Sequence, residues 1–398
     1  MERDFNMKEN VLSSNASAKR DISKEERADE EINISFAPKI PRTPISLFVS
    51  ITSKCNQACR HCAVYSDSFN YGPDLTTEQW IKFIDEIERV KVLRVKISGG
   101  EPFARDDIFE ILDALYKKPL RFSINSNATL IDEKSAERLS GYNKKMDDIM
   151  VSLDGASPAT HDLLRGAGAF DKALRGINLL LQFGVEVCVY CTVTRLNFTD
   201  LRAVAELMKE IGISDIKFNY LLYEGRGLKF QEELQLTTKE RKRTIENLKE
   251  IRKDFPFISG TFFEMDEIFE GIRTTEPEDL IHYDPAKHFL SGCGALKKEC
   301  AIRSDGWATP CDRLPEIKAE NILDTPLDVI WKESKTFLDF RKRFVTPLTT
   351  LSTCADCEYA HSCTAGCPAS AYTAYGTMLA RDPSCCYKLF IEGQEDGT

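Results

Sequence analysis

The stretch Ser53-Lys54-Cys55-Asn56-Gln57-Ala58-Cys59-Arg60-His61-Cys62 decides the reading of this chain. Three cysteines at C-x3-C-x2-C spacing can ligate three irons of a four-iron cluster, and no fourth cysteine stands nearby. An iron without a protein ligand can bind a small molecule, so the spacing points to chemistry at the metal. Zinc is the competing reading. A structural zinc asks for a fourth protein ligand and a catalytic one for three plus water, usually at C-x2-C spacing. Further on, the apolar run Leu93 to Ile97 leads into Ser98-Gly99-Gly100-Glu101-Pro102. Alone, Gly-Gly-Glu-Pro is a common turn. After a candidate strand, its glycines let the backbone approach a ligand closely.

Outward from these motifs the chain divides. Residues 1–44 are polar and charged and read as a flexible tail with a short ordered end near Ile34 to Pro41. Residues 45–235 alternate apolar runs with helical patterns. Candidate strands are Ser46–Ile51, Leu93–Ser98, Arg121–Ile124, Asp148–Leu153, Val185–Val193 and Asp215–Leu221. Candidate helices are Thr77–Val90, Ile108–Tyr116, Glu133–Leu139, Phe170–Phe183 and Asp200–Ile211. Trp80, Phe83, Ile84 and Ile87 share one face of the first, and Thr76 or Thr77 can cap it. Such βα units imply an α/β fold whose parallel sheet curls into an incomplete (β/α)6 TIM-like barrel. Ligands of these folds bind at the C-terminal ends of the strands, where both motifs fall. Residues 236–289 form a helical bridge with a charged helix, Lys239 to Lys253, and an amphipathic segment, Met265 to Ile281. From 290 to 398 cysteine dominates, at 293, 300, 311, 354, 357, 363, 367, 385 and 386. Cys188 and Cys191 lie in an apolar strand on opposite faces and read as buried free thiols.

Composition narrows the function classes. Net charge is −10, against a nucleic-acid footprint. No apolar run approaches a membrane span, and the N-terminus lacks a signal-peptide core. Fourteen cysteines without a secretory signal imply metal ligation in a reducing, cytoplasmic setting.

The triplet and the Gly99-Gly100-Glu101-Pro102 run resemble the signatures of radical S-adenosylmethionine (radical SAM) enzymes, and the resemblance spans about residues 45–225. It implies a four-iron cluster on Cys55, Cys59 and Cys62. It further implies S-adenosylmethionine chelated at the open iron, and its one-electron cleavage to a 5′-deoxyadenosyl radical that abstracts a substrate hydrogen. His61 stands where the family usually has an aromatic. Gly99, Gly100 and Glu101 correspond to the contacts with the methionine amino group, Ser152 to a ribose or carboxylate contact, and Arg165 to the carboxylate partner. Asp154 and Asn125-Ser126-Asn127 would be rim residues. Without the family, Arg165 reads equally well as a surface helix residue. An electron donor such as flavodoxin or ferredoxin is implied.

The second cysteine group, C-x12-G-x4-C and C-x2-C-x5-C-x3-C followed by Asp382-Pro383-Ser384-Cys385, resembles the SPASM extension with two auxiliary four-iron clusters over about 290–388. The resemblance assigns Cys293, Cys311 and Cys367 to one cluster, with Cys300 placed to complete it. It assigns Cys354, Cys357, Cys363 and Cys385 to the other, with Cys386 a spare neighbour. Three [4Fe–4S] clusters follow; two zinc sites are the bland alternative. Asp312, after Cys311, matches a base of sulfatase-maturing members, and reads as readily as a capping or salt-bridged aspartate. Tyr223, Glu224 and Arg226 sit just past the sixth strand and could face cofactor or substrate.

SPASM members mostly act on peptides or proteins, so the expected activity is that of a peptide-modifying maturase forming thioether or carbon–carbon crosslinks. The residues before the barrel are too few for a leader-binding domain, so a separate leader-binding protein is expected. Two alternatives stand. One is propionate decarboxylation of a tetrapyrrole in heme synthesis, on the Gly366-Cys367-Pro368-Ala369-Ser370-Ala371-Tyr372 run. The other is anaerobic sulfatase maturation, on Asp312.

Overall fold

The computed structural model describes residues 39–63, 71–222, 224–262, 288–355 and 365–383. Six βα repeats open the chain. The strands are β1 (Ser46–Ser50), β2 (Arg94–Ser98), β3 (Arg121–Ser126), β4 (Met146–Ser152), β5 (Val187–Val193) and β6 (Ile216–Tyr220). The helices between them are α1 (Thr77–Arg89), α2 (Ile108–Tyr116), α3 (Glu133–Ser140), α4 (Pro158–Arg165) and α5 (Ala169–Gln182), both between β4 and β5, and α6 (Leu201–Glu210). Neighbouring strands pair in parallel in chain order, as consecutive βα units place them. The sheet stays open, so the expected incomplete barrel is what forms.

Each element follows its local sequence. Thr76 caps α1 in a capping box: its hydroxyl accepts from Gln79 N, and Gln79 Oε1 accepts from Thr76 N at 2.9 Å. Trp80, Phe83, Ile84 and Ile87 of that helix are buried as their spacing predicts. Along β5 alternation separates the two thiols: Cys191 joins the core under the helices, whereas Cys188 lies beside Lys217.

The chain then adds elements beyond the six units. α7 (Gly225–Lys229) follows β6, and α8 (Thr238–Asp254) leads to β7 (Ile258–Ser259), which pairs with β6. The segment Met265 to Ile281 lies outside the described residues. From the cysteine-rich region comes β8 (Glu299–Ile302), which pairs in parallel with β1, and β9 (Ala308–Thr309), antiparallel to β8. The sheet order is β7-β6-β5-β4-β3-β2-β1-β8-β9. The cysteine-rich region therefore begins as a continuation of the barrel sheet on its β1 edge. It continues through α9 (Leu327–Glu333), α10 (Lys335–Arg341) and α11 (Pro368–Tyr375). Trp331 of α9 is fully buried and donates from Nε1 to the carbonyl of Pro41 at 2.8 Å, fastening the strand entering β1.

Candidate active site

β1 delivers the cysteine triplet to the C-terminal rim. Beyond Ser50, Thr52 Oγ1 donates to Asp74 Oδ2 at 2.6 Å and accepts from Lys54 N at 3.0 Å, turning the chain across the strand ends. The loop is then held from three sides. Arg60 N donates to Leu164 O at 2.9 Å, Arg226 N to Cys62 O at 2.9 Å, and Asn127 Nδ2 to Asn56 Oδ1 at 2.9 Å. Cys55 is exposed, while Cys59 and Cys62 are half-buried. Burial, with Glu101 and the other two thiols adding to it, pushes the Cys55 thiol up to about 11.

The Gly99-Gly100-Glu101-Pro102 turn leaves β2 beside this loop. Gly99 has φ of +137°, and a Cβ there would lie 2.5 Å from Thr52 O, so only glycine fits. Gly100 N and Glu101 N then donate to Thr52 O (2.9 Å) and Lys54 O (2.8 Å), joining turn and loop into one rim. Glu101 is buried. Its carboxylate accepts from Ser126 Oγ at 2.8 Å, Asn127 N at 2.7 Å and Phe103 N at 3.2 Å. Burial dominates over these donors and raises its pKa to about 7.

Arg165 is not a surface residue. It ends α4 with 9% exposure, its Nε donating to Asp154 Oδ2 at 2.5 Å. Nη2 lies 3.2 Å from His61 Nε2, and Nη1 lies 3.8 Å from Cys59 Sγ. Asp154 is 0% exposed and also accepts from Thr192 N at 2.8 Å, so its carboxylate is buried between Arg165 and the backbone of β5. Burial would raise the Asp154 pKa; Arg165, His61 and His161 overcome it and hold it low. Burial lowers His61 to about 4, keeping the imidazole neutral. Ser152 ends β4, half-buried, in register with Tyr190.

Across from this rim lies a cavity of about 520 Å3, walled by Tyr190 of β5, Asn219 and Tyr220 of β6, and the cysteine-rich region. Cys293, Cys311, Asp312, Arg313 and Cys367 border it. Burial first, then Asp312, Cys367 and Cys293, push the Cys311 thiol well above its ordinary value, which places these groups together. Asp312 borders the cavity half-buried, and desolvation raises its carboxyl although Arg313 opposes this. Cys300 also borders the cavity, but its register in β8 pairs it with Leu47, and it packs in the core. Apart from burial, Arg341 and Glu299 govern its ionisation, not the other cysteines. Cys354 is half-buried against Leu348 and Ala365. Cys357, Cys363, Cys385, Cys386 and Tyr223 lie outside the described residues.

Among the described residues, no three Cys, His, Asp or Glu side chains converge closely enough to hold one metal ion. Cluster thiolates bind separate irons and need no such convergence. Three thiols on one loop, next to a backbone cradle that tolerates only glycine, fit an iron–sulfur cluster with a ligand at its open side. Sequence reasoning missed Arg313 and the Asp154–Arg165 pairing. The ordering of Arg313 depends on Glu224, 89 positions earlier, which no local spacing reveals.

Comparison with known proteins agrees. Residues 49–211 match the radical SAM superfamily model, and residues 293–358 match the SPASM iron-sulfur cluster-binding domain. The AdoMet-dependent heme synthase of Methanosarcina barkeri is 30% identical over 344 residues, spanning 85% of this chain and 95% of that protein. Mycofactocin maturase MftC of Mycobacterium ulcerans is 29% identical over 351 residues, spanning 86% and 88%. Native anSMEcpe with bound AdoMet superimposes with a TM-score of 0.68 at 24% identity, covering 88% of this chain and 96% of that one. Streptococcus suis SuiB bound to precursor peptide SuiA gives 0.68 at 17% identity, covering 93% and 80%. These structures share the fold. The chain belongs to the radical SAM superfamily and carries a C-terminal SPASM domain. It is thus a radical SAM enzyme whose domains imply iron–sulfur clusters and S-adenosylmethionine as cofactors. Among the described residues no helix is long and apolar enough to cross a membrane.

Proposed function

We propose that this enzyme is a peptide-modifying oxidoreductase that removes hydrogen from a ribosomally made peptide, or small protein, seated in the cavity between β5, β6 and Cys293, Cys311 and Cys367. The bound cofactors supply radical hydrogen abstraction. The chain's own groups hold the reactants: Glu101 and Arg165 face the cofactor's charged methionine end, and Asp312 accepts the proton that the oxidised substrate releases. Two auxiliary clusters, three in all with the triplet's, take up the accompanying electron. A flavodoxin or ferredoxin supplies electrons to the first, and a separate leader-binding protein presents the peptide.

One observation carries the choice of substrate. Among the described residues the cavity lining holds three carboxylates, Glu299, Asp312 and Asp382, against two guanidinium groups, Arg241 and Arg313. Arg313 already pairs with Glu224. A tetrapyrrole with several propionates would meet net negative charge there, whereas a neutral or cationic peptide segment would not. The heme synthase relative favours the tetrapyrrole as second reading. Incubating reduced, reconstituted enzyme and S-adenosylmethionine with peptides encoded beside its gene, and separately with a propionate-bearing porphyrin, decides between them. The proposal expects loss of two hydrogens from a peptide. Carbon dioxide release from the porphyrin alone would reject it.

A further inference from the structure

We propose that Arg313 raises the reduction potential of the iron–sulfur cluster that Cys367 ligates, an inference resting on the reading of Cys293, Cys311 and Cys367 as a cluster site. The guanidinium makes four hydrogen bonds. Nε donates to Glu224 Oε2 at 2.7 Å, and Nη2 pairs with the other oxygen of the same carboxylate. Nη2 also reaches Ser370 Oγ at 3.0 Å. Nη1 donates to Cys367 Sγ at 3.0 Å. Two parallel bonds to a buried carboxylate fix the plane of the fork, so its remaining edge is aimed at the sulfur. A donor on a cluster sulfur offsets the negative charge gained on reduction and so favours the reduced state. A salt bridge that merely joined two segments would have no need of the sulfur.

The carboxylate comes from the barrel, not from the cysteine-rich region. Glu224 precedes α7, and two residues later Arg226 donates from its backbone N to Cys62 O and from Nη1 to Cys59 O at 3.2 Å. One short segment thus holds the triplet's loop directly and Cys367 through Arg313, and the orientation of Arg313 is referred to the same rim that carries the triplet. Lysine could supply the charge but not the bidentate fork.

The test compares the parent protein, Arg313→Gln and Arg313→Lys after anaerobic reconstitution, by iron content and by redox titration followed by electron paramagnetic resonance. In Arg313→Gln one potential falls, its reduction equilibrium constant dropping about tenfold, or 59 mV for one electron. The other potentials stay, and iron is retained. Arg313→Lys gives a smaller fall in the same potential, and carries the test if the glutamine variant loses iron. Unmoved potentials at full iron content would overturn the proposal alone. A parent protein holding only the triplet's irons would overturn the cluster reading and the proposal with it.

Discussion

Replacing Arg165 with methionine should cost stability and cofactor affinity by separable routes. The change leaves the Asp154 carboxylate, which is 0% exposed, without its ion-pair partner at 2.5 Å. Breaking a buried pair from one side costs about 3–5 kcal/mol, because the remaining charge is stranded away from water. Adding Asp154→Asn removes the stranded charge, while the amide oxygen can still accept from Thr192 N, now 2.8 Å from the carboxylate. The double variant should therefore be more stable than Arg165→Met alone, with a coupling of about 2–3 kcal/mol. Denaturant unfolding of reduced protein under anaerobic conditions measures all four corners of the cycle. Affinity for S-adenosylmethionine should fall by about 1.5–3 kcal/mol in both Arg165 variants, the scale of a charged hydrogen bond, with the triplet's iron retained. Additive losses of stability would refute the buried-pair argument. Unaltered affinity would show that Arg165 serves the fold and not the cofactor.

Other outcomes follow from the same geometry. Replacing Cys55, Cys59 and Cys62 with alanine should remove about four irons and abolish cofactor cleavage, as iron analysis and assay of 5′-deoxyadenosine would show. Burial raises Glu101 from 4.5 to about 7, so the folded chain binds the extra proton across that window and its stability falls as pH rises through it. Cofactor-free Glu101→Gln should accordingly unfold later than the parent at pH 8, by up to about 3 kcal/mol, and lose the advantage below pH 4.5. Cofactor affinity should run the opposite way in the parent, weakening below about pH 7 as the carboxylate protonates, and be flat in the variant. Cys300→Ala should keep full iron because its side chain packs in the core; loss of four irons would make it a ligand. Arg343→Met should destabilise the segment bearing Cys367, since the fully buried guanidinium donates to the carbonyls of Ser291, Ala365, Gly366, Met378 and Ala380; limited proteolysis reads this.

The parallel strands and their helices were legible because one-sided burial leaves alternation in β1, β2 and β3, two-sided burial makes β5 a nearly continuous apolar run, and α1, α2, α5 and α6 keep a 3.6-residue rhythm. α4 was not. Its buried face is His161, Leu164 and Arg165, two of them polar and inside because they serve Asp154, while Leu163 is exposed. β7 and β9 are two residues long, too short for any periodicity, and β8 owes its place to pairing with a strand 253 positions away, as the Ser46–Glu299 contact marks. The cysteine motifs could be read because ligand spacing is local. The ties that orient them follow no local spacing: Glu224 reaches Arg313 across 89 positions and Asp154 reaches Arg165 across 11, and neither leaves a pattern in the chain.

The central claim is that the radical made at the β1 rim takes hydrogen from a peptide in the neighbouring cavity. Reduced enzyme supplied with S-adenosylmethionine and a deuterated peptide encoded beside its gene should transfer deuterium into 5′-deoxyadenosine, detected by mass spectrometry. Deoxyadenosine that stays unlabelled with every such peptide, yet gains label from a deuterated tetrapyrrole propionate, would contradict it.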